Sequence, residues 1–226
     1  LNDPVPIRDA ATIILVRRGP AGPAILMGQR GAAAVFMPSK FVFPGGALDP
    51  GDAAVPLAAP PDARSTARLA QGGGDPRALA AAAIRELWEE TGLRLAAPGD
   101  WDDPPPDWTE FAAGGFLPDA AGLTYVFRAI TPQARTRRFD ARFFLADAAR
   151  LTGNPDDFGR ATDELSFLHW VPVAEARQLD LPFITEVVLA EVAALLAEAG
   201  EGPLRLPESV PFFDSSGAQP VFRRIA

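Results

Sequence analysis

The chain's pattern predicts an α/β fold. Short runs rich in β-branched and aromatic residues alternate with helical segments, two of them long, and no internal repeat or sharp domain boundary interrupts the 226 residues. Residues 1–226 therefore read as a single domain, with residues 53–77 as an excursion and 202–226 as a C-terminal tail.

Ala11-Thr12-Ile13-Ile14-Leu15-Val16 reads as a buried strand, and Ala24-Ile25-Leu26-Met27 returns from the Gly19–Pro23 turn as its hairpin partner. Lys40 to Phe43 is a short strand ended by Pro44-Gly45-Gly46, where two glycines permit positive φ and close backbone approach to a ligand. Ser65 to Gln71 fits a short helix. The next helix is the best punctuated: Asp75 as N-cap, Pro76 at N1, an alanine-rich interior and Gly92 as C′ stop. After a proline-rich acidic loop over 100–107, Trp108 to Ala113 makes a turn of helix. Gly122 to Ile130, Arg138 to Ala146 and Glu164 to Val171 read as strands, and Val173 to Gln178 as a short helix. Thr185 to Ala199 is amphipathic, with Val188, Leu189, Val192, Leu195 and Leu196 on one stripe. The tail holds four prolines and no period.

Composition narrows the function. A net charge of −8 argues against nucleic-acid or acidic-membrane partners, and also against unassisted capture of a polyanion. The absence of cysteine removes disulfides, thiolate metal sites and cysteine nucleophiles, and fits a cytoplasmic protein. No stretch reads as a membrane span, a secretory signal or an anchor.

The informative run is Ile84-Arg85-Glu86-Leu87-Trp88-Glu89-Glu90-Thr91-Gly92-Leu93. Glu86, Glu89 and Glu90 stand at i, i+3 and i+4 on one helix, so they share a face. Three like charges there repel unless a cation lies among them. Hard oxygen ligands without Cys or His favour Mg²⁺ or Mn²⁺ over zinc.

Taken with Gly45-Gly46-Ala47-Leu48-Asp49-Pro50-Gly51-Asp52, this run resembles the Nudix box, the signature of hydrolases acting on a nucleoside diphosphate linked to another moiety. Gly46 fits the opening glycine, and residues 85–93 fit the whole second half. Asp52 replaces the first-half glutamate. Between Asp52 and Arg85 lie 32 residues (53 to 84) where the signature has seven, an insertion of 25. An interrupted box of this kind is similar to the Nudix 19-like proteins and coenzyme A diphosphatases. Leu26 and Arg30 fit the start of a further coenzyme A motif, but Ala34 stands where its second arginine belongs.

The resemblance implies a Nudix-type α/β/α sandwich with a mixed sheet, an insertion within the box and a C-terminal helix. It implies metal ligation by Glu86, Glu89, Glu90 and the Gly45 carbonyl. Arg85 would orient the carboxylates, with Glu89 in catalysis and Glu164 (Asp163 second) as the carboxylate from outside the box. Water would attack one phosphorus of a small-molecule diphosphate. Arg30, Arg137 and Arg138 are the candidate substrate phosphate contacts, although for the latter two a patch balancing an acidic protein is an equal alternative. Coenzyme A or its thioesters lead the substrate classes, against ADP-ribose, dinucleotides or nucleoside triphosphates. A non-catalytic nucleotide-binding module is the reading from another class. Many relatives dimerise, so a homodimer is an open expectation. His169 reads as structural, and Trp101, Trp108 and Phe116 as mostly buried against the sheet.

Overall fold

The computed structural model describes residues 5–226. The reading of the first residues as free of a secretory signal falls partly on residues 1–4, outside the described residues.

In chain order the elements are β1 (Ile7–Arg17), β2 (Ala24–Arg30), β3 (Phe41–Val42), β4 (Gly45–Ala47), α1 (Ala63–Ala70), α2 (Pro76–Thr91), β5 (Arg94–Pro98), α3 (Pro106–Ala112), β6 (Phe116–Pro118), β7 (Thr124–Ile130), β8 (Arg138–Asp147), β9 (Leu151–Thr152), β10 (Leu165–Pro172), α4 (Phe183–Ala199), β11 (Val210–Asp214) and β12 (Val221–Ile225). The main sheet runs β10-β2-β1-β8-β7-β11-β12, with β3 on β2 and β4 on β1. It is mixed: β1 lies parallel to β8 and β11 parallel to β7, and the other pairs are antiparallel. A small second sheet orders β6-β5-β9.

Alternation along β1 builds two cores. Ala11, Ile13 and Leu15 meet the alanine-rich α2, while Ile14 and Val16 belong to the core that Val188, Leu189, Val192 and Leu196 of α4 complete. Helices thus cover both faces, the α/β/α sandwich expected. Small side chains at Ala80–Ala83 let α2 lie close on the sheet, and all four are fully buried. The Asp75 carboxylate accepts from the Arg77 amide, Pro76 occupies the first turn, and Gly92 takes φ 74° to end the helix.

Three segments differ from expectation. Gly45 and Gly46 sit in β4, paired with β1, and neither has positive φ. The tail supplies β11 and β12, and Val210, Phe212 and Ile225 are buried in the α2-side core. The stretch over 173–178 yields only a 3₁₀ turn at Ala176–Gln178. Residues 53–77 carry α1 and are tied to the rest of the chain: Ala58 N–H donates to the Pro118 carbonyl at 2.9 Å, and Arg68 to the Pro207 carbonyl at 2.8 Å. Among the described residues no helix is long and apolar enough to cross a membrane.

Candidate active site

Arg85 organises the acidic face of α2. Its guanidinium carries five N–H donors, and all five are used. Nε and Nη2 fork onto the two Asp52 oxygens at 3.0 and 3.1 Å. Nη1 donates to Glu86 Oε1 and to Glu89 Oε2, each at 3.0 Å. Nη2 also donates to the Ala47 carbonyl at 3.0 Å, while Asp49 Oδ2 stands 3.7 Å from Nη1. Asp52 is itself buried and accepts from the Asp49 amide at 2.8 Å. One arginine therefore joins the turn after β4 to the end of α2.

The glycine segment closes the arrangement from the other side. Gly45 N–H donates to Glu90 Oε2 at 2.8 Å. A methyl group at Gly46 would come within 2.6 Å of Glu86 Cδ, and one at Gly45 would meet the Ala11 carbonyl and Thr12 Cα at 2.7 Å. Close approach, not a turn, is what demands these two glycines. The loop bearing Glu164 is tethered to the same helix, because Thr162 N–H donates to the Glu89 carbonyl at 3.1 Å. Glu164 is exposed, yet near enough for its charge to act on Glu86 and Glu90.

Electrostatics marks the cluster as short of positive charge. Burial pushes Glu86 up to about 7, against the pull of Arg85 and with the help of Glu89 and Glu164. Burial also raises Glu89, opposed by Arg85 and reinforced by Asp107 and Asp49. Glu90 is raised well above the ordinary carboxylate range by burial and then by Glu86, with the Gly45 amide and Arg30 acting in the opposite sense. Burial works against the charge on Arg85, but Asp52, Glu86 and Glu89 overcome it and hold its proton more tightly than usual.

The expected ligand set is placed beside the glycine segment without being gathered into a cage. Among the described residues no three His, Cys, Asp or Glu side chains are disposed to hold a metal ion. The reason is steric and electrostatic: Arg85 stands between Glu86 and Glu89, and the Glu90 carboxylate faces the Gly45 amide. In donor chemistry the residues fit a hard divalent cation. Among the described residues, Asp49, Asp52, Glu86 and Glu89 pair with Arg85, Glu90 feels Arg30 and Glu164, and the donors are oxygens without Cys or His. It is the Gly45 amide, not its carbonyl, that meets a carboxylate here.

The other expected residues divide. Arg30, at the end of β2, acts on Glu90 through its charge, and its own Nε has no hydrogen-bond partner. Arg137 and Arg138 do not join the carboxylates; they line a separate cleft with Arg8. His169 is exposed in β10, its Nδ1 2.7 Å from the Phe167 carbonyl. Trp108 is buried in the α2-side core beside Phe111 (ring centroids 5.0 Å), and Trp101, which packs on the same core, and Phe116 are only partly covered. Sequence reasoning missed Asp49, in the turn after β4, and Asp107, in the first turn of α3, whose charges act on Glu89, and Phe167, which takes φ 51° at a break in the β10–β2 register. No sequence signal marks that break.

Comparison with known proteins agrees with the geometry. The family model described as NUDIX domain matches residues 58–192. The Caenorhabditis elegans protein "Putative nudix hydrolase 7" is 30% identical over 186 residues, which is 74% of this chain and 52% of that protein. The chain thus spans about half the length of this curated relative. Among solved structures, a NUDIX hydrolase from Alicyclobacillus acidocaldarius is similar at TM-score 0.61 and 29% identity, over 84% of this chain and 92% of that one. A C. elegans Ap4A hydrolase in a binary complex aligns at TM-score 0.50 and 18% identity, over 85% and 99%, a likeness of fold alone.

Proposed function

The chain belongs to the Nudix family, whose chemistry is hydrolysis of pyrophosphate linkages, and from that premise we propose that it is a divalent-metal-dependent hydrolase of a small-molecule diphosphate. The observation that carries this reading is the Arg85 fork. A buried arginine spends four donors on Asp52, Glu86 and Glu89 and the fifth on the Ala47 carbonyl, beside a glycine segment that accommodates Glu86 and Glu90.

Glu86, Glu89 and Glu90, with the Gly45 carbonyl, would hold Mg²⁺ or Mn²⁺. Bound there, the ion supplies neutralisation of charge on the phosphoryl oxygens and a water of lowered pKa. Arg85 orients two of the three carboxylates. Glu164, on a loop anchored to the Glu89 carbonyl, accepts the proton of the attacking water. Arg30, without a partner at Nε, takes a substrate phosphate oxygen.

Coenzyme A or its thioesters form the leading substrate class. Support comes from the interrupted box and from Leu26 and Arg30 upstream, with Ala34 weighing against. A panel of coenzyme A, ADP-ribose, dinucleotides and nucleoside triphosphates with Mg²⁺ or Mn²⁺, scored on product identity, tests the proposal. Metal-dependent cleavage of coenzyme A upholds it, and preferential cleavage of another member reassigns the substrate. Nucleotide binding with no turnover of any member would leave the binding-module reading instead.

A further inference from the structure

A cleft of about 350 Å³ opens beside the start of β1 and β8, with Pro6, Arg8, Thr136, Arg137, Arg138 and Phe139 in its wall. Arg8 and Arg137 are exposed and Arg138 is buried. Arg138 Nε donates to the Thr131 carbonyl at 3.1 Å, while its Nη2 has no hydrogen-bond partner. The buried or half-buried Arg85, Arg128 and Arg142 each have a carboxylate within 3.0 Å. Among the described residues, none of the three cleft arginines forms an ion pair. Three arginines line this one small space with no carboxylate among its wall residues, and forked guanidinium donors match a phosphate group.

The cleft lies within a substrate's length of the carboxylates. Arg138 pairs with Ile7, and Gly46 pairs with Ala11, four residues further along β1. At roughly 3.3 Å per residue, that is about 13 Å. The loop that follows Arg30 spans part of this distance, since Phe36 packs edge-on against Phe139 at 5.4 Å between centroids.

We propose that this cleft seats a phosphate group of the substrate other than the two joined by the bond being cleaved. The inference rests on the diphosphate-hydrolase reading and narrows it to substrates carrying a further phosphate. Two sources share this chemistry: a phosphomonoester on the nucleoside sugar, and the outer phosphates of a polyphosphate chain.

The test measures binding of AMP, adenosine 3′,5′-bisphosphate and adenosine 5′-tetraphosphate to the full chain in EDTA, so that turnover and metal play no part. The wild type is compared with an R8A/R137A double variant, which spares the buried Arg138. The expected result is at least tenfold tighter binding of the bisphosphate or the tetraphosphate than of AMP. Whichever of the two shows it identifies the source. The double variant should lose that preference while AMP binding and Tm stay unchanged. The proposal is overturned if the wild type shows no preference, or if the preference survives in the variant. Hydrolysis of the same nucleotides with Mg²⁺ separates the two readings. A preference without turnover removes only the enzymatic assignment, and turnover without preference removes only the cleft.

Discussion

The Glu86 carboxylate lies directly over Gly46, so close that a methyl group on Gly46 would stand 2.6 Å from its Cδ. The absence of a side chain at one position sets the place of a charge at another. Gly46→Ala should therefore displace Glu86 while the sheet pairing of β4 persists. A fall in kcat of at least tenfold is expected, with weakened Mg²⁺ binding and a small change in Tm. Circular dichroism beside a metal titration checks this, and undiminished Mg²⁺ affinity would refute it.

Asp52 and Arg85 form a buried fork across 33 residues of sequence. Removing one partner strands the other charge, so Asp52→Ala should cost about 3 kcal/mol in unfolding free energy. Asp52→Glu keeps the carboxylate and should recover most of that loss. Arg85→Lys offers three donors on a point charge and cannot serve Asp52, Glu86 and Glu89 together. Its kcat/KM should drop about tenfold to a hundredfold. Denaturant unfolding and steady-state kinetics measure the two effects.

Glu89→Gln and Glu90→Gln should lower kcat by several orders of magnitude. In the metal-free protein the same changes relieve repulsion and desolvation, so its Tm should hold or rise. A loss of Tm in EDTA would show that the carboxylates stabilise the fold and would contradict a site built around a missing charge.

The raised Glu86 gives a pH dependence with a definite sign. Its proton is kept up to about 7 in the folded protein, against 4.5 as the ordinary value. Between those values the folded state binds more protons than the unfolded state, so metal-free stability falls as pH rises. Raised Glu89 and Glu90 act in the same direction. Thermal scans in EDTA should therefore show Tm falling, on the order of 5 °C, from pH 5 to pH 7.5. Excess Mg²⁺ should flatten or reverse the trend, because the metal competes with these protons. A metal-free Tm that rises over the same interval would count against the buried acidic cluster.

Glu164 tests the division of labour. As a base outside the metal set, Glu164→Gln should reduce kcat by about a hundredfold or more and leave Mg²⁺ affinity within about twofold. Equal losses in both would move Glu164 into the ligand set. Isothermal titration with Mg²⁺ and single-turnover kinetics distinguish the outcomes.

How much of this was legible in the sequence depended on how local each cause was. The α2 helix was readable because Asp75, Pro76 and Gly92 each act within a few residues. The shared face of Glu86, Glu89 and Glu90 followed from helical spacing. The glycine pair was found for a partly mistaken reason: positive φ was one ground for it, whereas neither glycine adopts it and close approach to Glu86, Ala11 and Thr12 is what excludes a side chain. The strands β11 and β12 escaped because Pro211 and the polar residues around 215–220 hide any alternation, and β11 gains its ladder only by meeting β7. The inward turn of the carboxylates toward Arg85, and the separation of Arg137 and Arg138 from Arg30, depend on register between distant strands. No pattern within one segment encodes that.

The register break in β10 reaches beyond the active site. An open sheet ends in two rows of backbone groups that invite a neighbouring molecule to add its own strand, the route to fibrous aggregates. Here one border strand, β10, is kinked at the left-handed Phe167, and the other, β12, carries Arg223 and Arg224. A kink spoils the hydrogen-bonding template on one side, and paired positive charges discourage stacking on the other. The chain's resistance to clumping at high concentration should thus depend on residues that take no part in its chemistry.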